Sequence, residues 1–123
     1  MALAIQMLSI CEALSLGNSM GISLSTLSAI MSVSTSRCWS LDTYNPAPNI
    51  IPSVPSSRNY EGGFSSSLML KDLSIAFEAC QKMGLDAKMA TEALEVYKKV
   101  VEEGLGGKDF VVLKRHHKKI RNK

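Results

Sequence analysis

Gly62-Gly63-Phe64-Ser65-Ser66-Ser67-Leu68-Met69-Leu70-Lys71-Asp72-Leu73-Ser74-Ile75-Ala76 is the stretch whose reading decides the fold. A glycine pair closes a polar segment and lets the backbone turn sharply, and Ser65 or Ser66 can then accept hydrogen bonds from the free N–H groups of a first helical turn. A helix is therefore expected to begin here. From that point Met69, Leu73, Ala76, Cys80 and Met83 recur at three- and four-residue spacing, which places them on one buried stripe. Lys71 and Asp72 lie off the stripe. A lysine near the positive end of the helix dipole is mildly disfavoured, so Lys71 either faces an anionic or polar partner or is a solvated surface lysine.

Two runs carry a resemblance. The segment from Gly62 to Ala76 is similar to the pattern G-x-F-x-x-x-L-x-x-K-D-L-x-x-A of the β-hydroxyacid dehydrogenase family. Upstream, Arg37-Cys38-Trp39-Ser40 followed by Tyr44-Asn45-Pro46 resembles the R-C-W-S-x-x-x-Y-N-P run of its 3-hydroxyisobutyrate dehydrogenase branch. The likeness extends over about the first 110 residues and fades after Asp109-Phe110.

The resemblance implies an all-α fold, a helical bundle resembling the C-terminal domain of 6-phosphogluconate dehydrogenase-like enzymes, with a long proline-rich ordered loop. It implies NAD as cofactor, contacted near its nicotinamide end by Lys71, with Phe64 closing the pocket and Asp72 orienting the helix start or the surroundings of Lys71. Trp39 and Arg37 fall on the substrate side, unless Trp39 only anchors the proline-rich wrap against the core. No catalytic residue is assigned, because the family's proton-exchanging lysine lies in a K-x-x-N-N context that is expected to fall before Met1. The implied activity is NAD-dependent oxidation of 3-hydroxyisobutyrate to methylmalonate semialdehyde in mitochondrial valine degradation, the chain alone being expected inactive. The alternative is a non-catalytic helical dimerisation or interaction module derived from such an enzyme. In both readings a homo-oligomer through the helices is expected.

Composition agrees with a packed chain. Of 123 residues, 46% are hydrophobic and 20% charged, which argues against disorder and suits one domain. Cys11, Cys38 and Cys80 are an odd set with no C-x-x-C pair, read as free thiols. The net charge of +3 is local: Lys114, Arg115, Lys118, Lys119, Arg121 and Lys123 supply six of the 14 basic residues, leaving eight against 11 acidic. The chain divides on this basis into a domain over residues 1–110 and a mobile basic tail over 111–123. A terminal run without interleaved aromatics gives no case for nucleic acid. Adjacent His116 and His117 lack further ligands at helical spacing, so no metal site is assigned.

Residues 1–16 are apolar nearly all round and predict a buried helix. No Lys or Arg precedes position 37 and Glu12 interrupts the run, which fits neither a signal peptide nor a membrane span. Ser23 caps an expected second helix over 24–32, with Leu24, Leu27, Ile30 and Met31 inward. Residues 33–63 hold all four prolines, Pro46, Pro48, Pro52 and Pro55, and exclude a long helix. Asp86 is expected to cap a last helix whose inner face is Met89, Ala93, Leu94, Tyr97, Val100 and Val101, stopping at Gly104. There is no G-x-G-x-x-G after a strand, hence no phosphate-cradling loop of that kind.

Overall fold

The computed structural model describes residues 1–115. Among the described residues, α-helices run in the order α1 (Ala2–Ser19), α2 (Leu24–Ser32), α3 (Trp39–Asp42), α4 (Ser66–Lys82) and α5 (Lys88–Val100). A 3-10 turn over Pro55–Arg58, a π-helical turn over Val101–Leu105 and a 3-10 turn over Phe110–Val112 complete the elements. Among the described residues there is no strand, only an isolated antiparallel bridge between Ser65 and Asp109.

The expectation of an all-α bundle resembling a C-terminal domain is corrected first in its architecture. The core is not made by helices alone. Tyr60 in the proline-rich wrap and Phe110 to Leu113 after α5 are buried with Met7, Leu73 and Tyr97, while Ala47 of the wrap is buried with Ile10, Leu14 and Leu41. Irregular backbone can carry core residues here because its polar groups find partners. Asn45, itself buried, donates to Ser28 Oγ at 3.1 Å and to the Leu41 carbonyl at 3.0 Å, and accepts from the Ala47 amide at 2.9 Å. Ser56 Oγ donates to the Asn45 carbonyl at 2.7 Å.

Helix boundaries follow local chemistry closely at three points. Ser23 Oγ accepts from the Thr26 amide and starts α2, Ser65 Oγ accepts from the Leu68 amide and starts α4, and Gly84, at φ 67°, follows the end of α4. Helix α1 runs through Gly17, where the missing Cβ lets Leu27 of α2 approach to 2.6 Å from the place a Cβ would take. Asp86 is not the cap of α5: Ala87 holds that position without a side-chain bond, and Asp86 pairs with Lys88 at 3.6 Å. Ile30, Met83 and Met89, expected inward, are exposed. Ala90, three and four residues before Ala93 and Leu94, takes the inner position at the start of α5.

Packing continues past Phe110. Val111, Val112 and Leu113 are fully buried, and Lys114 is only 3% exposed, its Nζ donating to Ser15 Oγ at 2.6 Å. The readings made of His116, His117 and the basic residues from Lys118 onward lie outside the described residues.

Candidate functional site

The start of α4 is clamped. Of its first amides, that of Ser66 donates to the Lys108 carbonyl at 2.8 Å, that of Ser67 to the Gly106 carbonyl at 3.0 Å and that of Leu68 to Ser65 Oγ at 3.3 Å. The orphan donors that make a helix N-terminus attractive to anions are therefore already occupied. No phosphate cradle exists at this end of α4. Contacts to a dinucleotide from this segment must come from side chains.

The Lys71 side chain is 60% exposed and its Nζ lies 3.1 Å from Asp72 Oδ1, which is itself half exposed. Asp72 thus touches Lys71, as an orienting partner would. Phe64 is half-buried, its ring meeting Phe110 edge-on at 6.2 Å and 75°. Its backbone is tied on both sides: the amide donates to Asp109 Oδ2 at 2.8 Å, and the carbonyl accepts from the Phe110 amide at 2.8 Å.

The upstream candidates reach the same place by stacking. Trp39 lies on Tyr44 with centroids 5.2 Å apart and planes at 13°, and Tyr44 lies on Phe110 at 5.5 Å and 12°. A ladder of four rings, Trp39, Tyr44, Phe110 and Phe64, therefore joins the two sequence runs. Trp39 is 47% exposed. Arg37 is turned toward Asp42, with Nε 2.6 Å from Oδ2, and the Arg37 guanidinium, with Ser32, holds the Asp42 carboxyl below its ordinary value.

Two open cavities lie elsewhere. One, of about 530 Å³, is walled by Leu24, Pro48, Tyr60, Lys114 and Arg115 among others, and a second, of about 650 Å³, includes Ser28, Arg37, Asp42 and Asn45. Lys71, Asp72, Phe64 and Trp39 line neither. Among the described residues no group of three His, Cys, Asp or Glu side chains could hold a metal ion. Cys11 is buried, its thiol pushed up to about 12 by burial, which makes it an inert core residue.

One residue was not singled out from sequence. Asp109 is fully buried, yet its carboxylate accepts from the Phe64 amide, the Tyr44 hydroxyl at 2.8 Å and the Val111 amide at 3.0 Å. Burial pushes its carboxyl above the ordinary value, outweighing those three donors and the nearby Arg58. Burial, and then the bond to Asp109, pushes the Tyr44 hydroxyl up to about 12, so Tyr44 remains the donor of that bond. Gly63, at φ 75°, was the available signal. A Cβ there would overlap Asp109 Oδ2, Tyr44 OH and Pro55 Cγ, which shows how closely the backbone approaches the carboxylate.

Residues 1–116 match the family described as NAD-binding of NADP-dependent 3-hydroxyisobutyrate dehydrogenase. The Arabidopsis thaliana protein named "Probable 3-hydroxyisobutyrate dehydrogenase, mitochondrial" is 48% identical over 116 residues, covering 94% of this chain and 33% of its own length. The human protein named 3-hydroxyisobutyrate dehydrogenase, mitochondrial, is 39% identical over 110 residues, covering 89% of this chain and 33% of its own. A solved structure of Mycobacterium tuberculosis 3-hydroxyisobutyrate dehydrogenase with L-serine superposes with a TM-score of 0.89 at 30% identity, over 94% of this chain and 39% of that one. The chain thus spans about a third of the length of the curated relatives it matches.

This match completes the correction of the expected fold class. The expectation set a helical C-terminal domain apart from the nucleotide-binding part of such an enzyme, whereas the family that covers residues 1–116 is described by NAD binding itself. The expectation came from the resemblance; the missing G-x-G-x-x-G tests for a phosphate cradle only. It does not address side-chain contacts to the rest of a dinucleotide.

Proposed function

The chain belongs to the family of NAD-binding segments of 3-hydroxyisobutyrate dehydrogenases, and on that premise we propose that it supplies the Lys71 side of the NAD site in an enzyme that oxidises 3-hydroxyisobutyrate to methylmalonate semialdehyde. The observation that carries the reading is the solvated ammonium of Lys71 beside Asp72, on a helix whose entry, like the backbone of Phe64 before it, is clamped to the 106–110 segment. The residues present fit a side-chain contact near the nicotinamide and not a seat for the pyrophosphate.

NAD, when bound, accepts the hydride from the hydroxyl-bearing carbon. The chain's own residues would bind and orient. Lys71 offers a directed donor, Asp72 restrains its rotamers, and the Phe64 ring walls off water at the reacting face. Arg37 and Trp39 stand on the substrate side, at the far end of the ring ladder from Phe64. The chain alone is proposed to be silent in turnover, since Lys71 is solvated and Asp109 is engaged by three donors, leaving neither arranged as the proton-exchanging group. Its relatives are named as mitochondrial proteins, which supports the same compartment for the proposed enzyme; a role in valine breakdown is part of the proposal.

Calorimetric titration of the chain with NAD tests the cofactor contact. Lys71→Ala is expected to weaken binding about tenfold, in line with the loss of a charge-assisted bond; equal affinities for the two proteins would overturn the assignment. An assay with NAD and 3-hydroxyisobutyrate is expected to show no turnover, and a rate abolished by Lys71→Ala would overturn the claim of silence.

A second reading, a helical self-association module without catalysis, draws on exposed apolar side chains. Leu16 and Met20 near the α1–α2 junction, Val33 just after α2, and Met83, Leu85 and Met89 at the α4–α5 turn all face solvent in the single chain. Light scattering is expected to find dimers or larger; a monomer at moderate concentration removes this reading.

A further inference from the structure

Asp109 is an expensive residue to bury unless its carboxylate is held, and it is held at the one place where three separated parts of the chain meet. From the wrap comes the Tyr44 hydroxyl, from the glycine turn before α4 the Phe64 amide, and from its own 3-10 turn the Val111 amide. Both the Tyr44 and Phe64 bonds end on Oδ2, whereas Val111 takes Oδ1, so the two oxygens divide the work between neighbouring segments. The backbone of Asp109 joins in: its amide donates to the Tyr60 carbonyl at 2.9 Å, and the next amide, of Phe110, donates to the Phe64 carbonyl. Gly63 has no Cβ to hold the turn away from the carboxylate.

We propose that Asp109 is the positioning residue of the cofactor-side turn, its carboxylate latching the Phe64 backbone to the Phe110 segment and so setting the direction in which α4 presents Lys71. The proposal rests on the Lys71 reading for its effect on NAD and on the hydrogen bonds alone for the latch. Asp109 does not touch the cofactor. It acts through Phe64 and the first turn of α4, whose Ser66 and Ser67 amides are bonded to the Lys108 and Gly106 carbonyls on Asp109's own segment. Tyr44 couples the same carboxylate to the ring ladder that leads to Trp39, so one buried group holds both the Phe64 side and the Trp39 side in register.

The test uses the full chain, NAD, and amide hydrogen exchange. Asp109→Ala is expected to weaken NAD binding at least tenfold and to open the Phe64 and Ser66 amides to exchange, and Asp109→Asn, which keeps one acceptor, to fall between. Leu94→Ala, in the core on α5, serves as a control for lost stability and is expected to leave the affinity of the folded protein within twofold. Equal losses of affinity in Asp109→Ala and Leu94→Ala, or unchanged Phe64 and Ser66 exchange, would overturn the latch. If Asp109→Ala does not fold, Asp109→Asn decides, and an unchanged affinity there overturns it as well. Lys71→Ala measured in parallel separates the two claims. Unchanged affinity in Lys71→Ala with loss in Asp109→Ala removes the Lys71 assignment and leaves the latch standing. Absence of NAD binding in the wild-type chain removes the cofactor reading and with it the effect on Lys71, and exchange at Phe64 and Ser66 then judges the latch alone.

Discussion

The hydroxyl of Tyr44 donates to Asp109 Oδ2 at 2.8 Å across 65 positions of sequence, while the Tyr44 ring stacks on Phe110 at 5.5 Å. A single side chain thus ties the upstream run to the Asp109–Phe110 segment by a polar contact at its tip and an apolar one along its face. Tyr44→Phe keeps the stack and removes the bond. With the Phe64 amide still on Oδ2, the expected cost is about 1.5–3 kcal/mol, typical of a bond to a charged acceptor. Urea denaturation measures it, and a stability equal to wild type would show that the bond contributes nothing.

The two glycines before α4 should differ. Both have positive φ, but near Gly62 the closest atom to an added Cβ is Arg58 Nη2 at 3.7 Å, whereas at Gly63 the Cβ meets Asp109, Tyr44 and Pro55. Gly62→Ala is expected to cost about 1–2 kcal/mol from backbone strain alone. Gly63→Ala adds a steric clash and should cost clearly more. Thermal melts of the two variants decide, and equal shifts in Tm would contradict the close approach at Gly63.

Lys71 and Leu73 lie two residues apart on α4 with opposite roles. Leu73 is fully buried, so Leu73→Ala should lose roughly 2–5 kcal/mol through the cavity it leaves. Lys71 is exposed and paired only at the surface, so Lys71→Ala should change stability by no more than about 0.5 kcal/mol. A large destabilisation by Lys71→Ala in chemical denaturation would make it a structural residue.

Asp109 gives a pH dependence of defined sign. Burial raises its folded-state value above the ordinary 3.8, so the folded protein holds this proton to higher pH than the unfolded chain does. Its contribution to stability is complete below the unfolded value and is lost as pH rises through the raised folded value. The stability advantage of wild type over Asp109→Asn should therefore shrink as pH is raised from below 3.8 through that window. Taking the difference between the two proteins isolates Asp109 from Asp42, whose lowered value acts in the opposite sense. An advantage that grows over the same window would contradict the raised value.

What sequence alone determined is what depends on near neighbours. The starts of α2 and α4 at Ser23 and Ser65, the stop near Gly84 and the absence of a long helix among the four prolines all follow from capping, glycine and proline chemistry acting over a few residues. The inner positions Leu73, Ala93, Leu94, Tyr97 and Val100 were likewise legible from helical spacing, as was the family from its motifs. The tertiary structure alone decided which polar groups were to be buried together. Nothing local marks Asp109 as the partner of Tyr44 and Phe64, or lets Leu27 take the space beside Gly17, or draws Lys114 under cover to Ser15. Periodicity reports which side of a helix is apolar; a buried carboxylate is tolerated only when donors from distant segments converge on it, and that convergence exists only once the chain has packed.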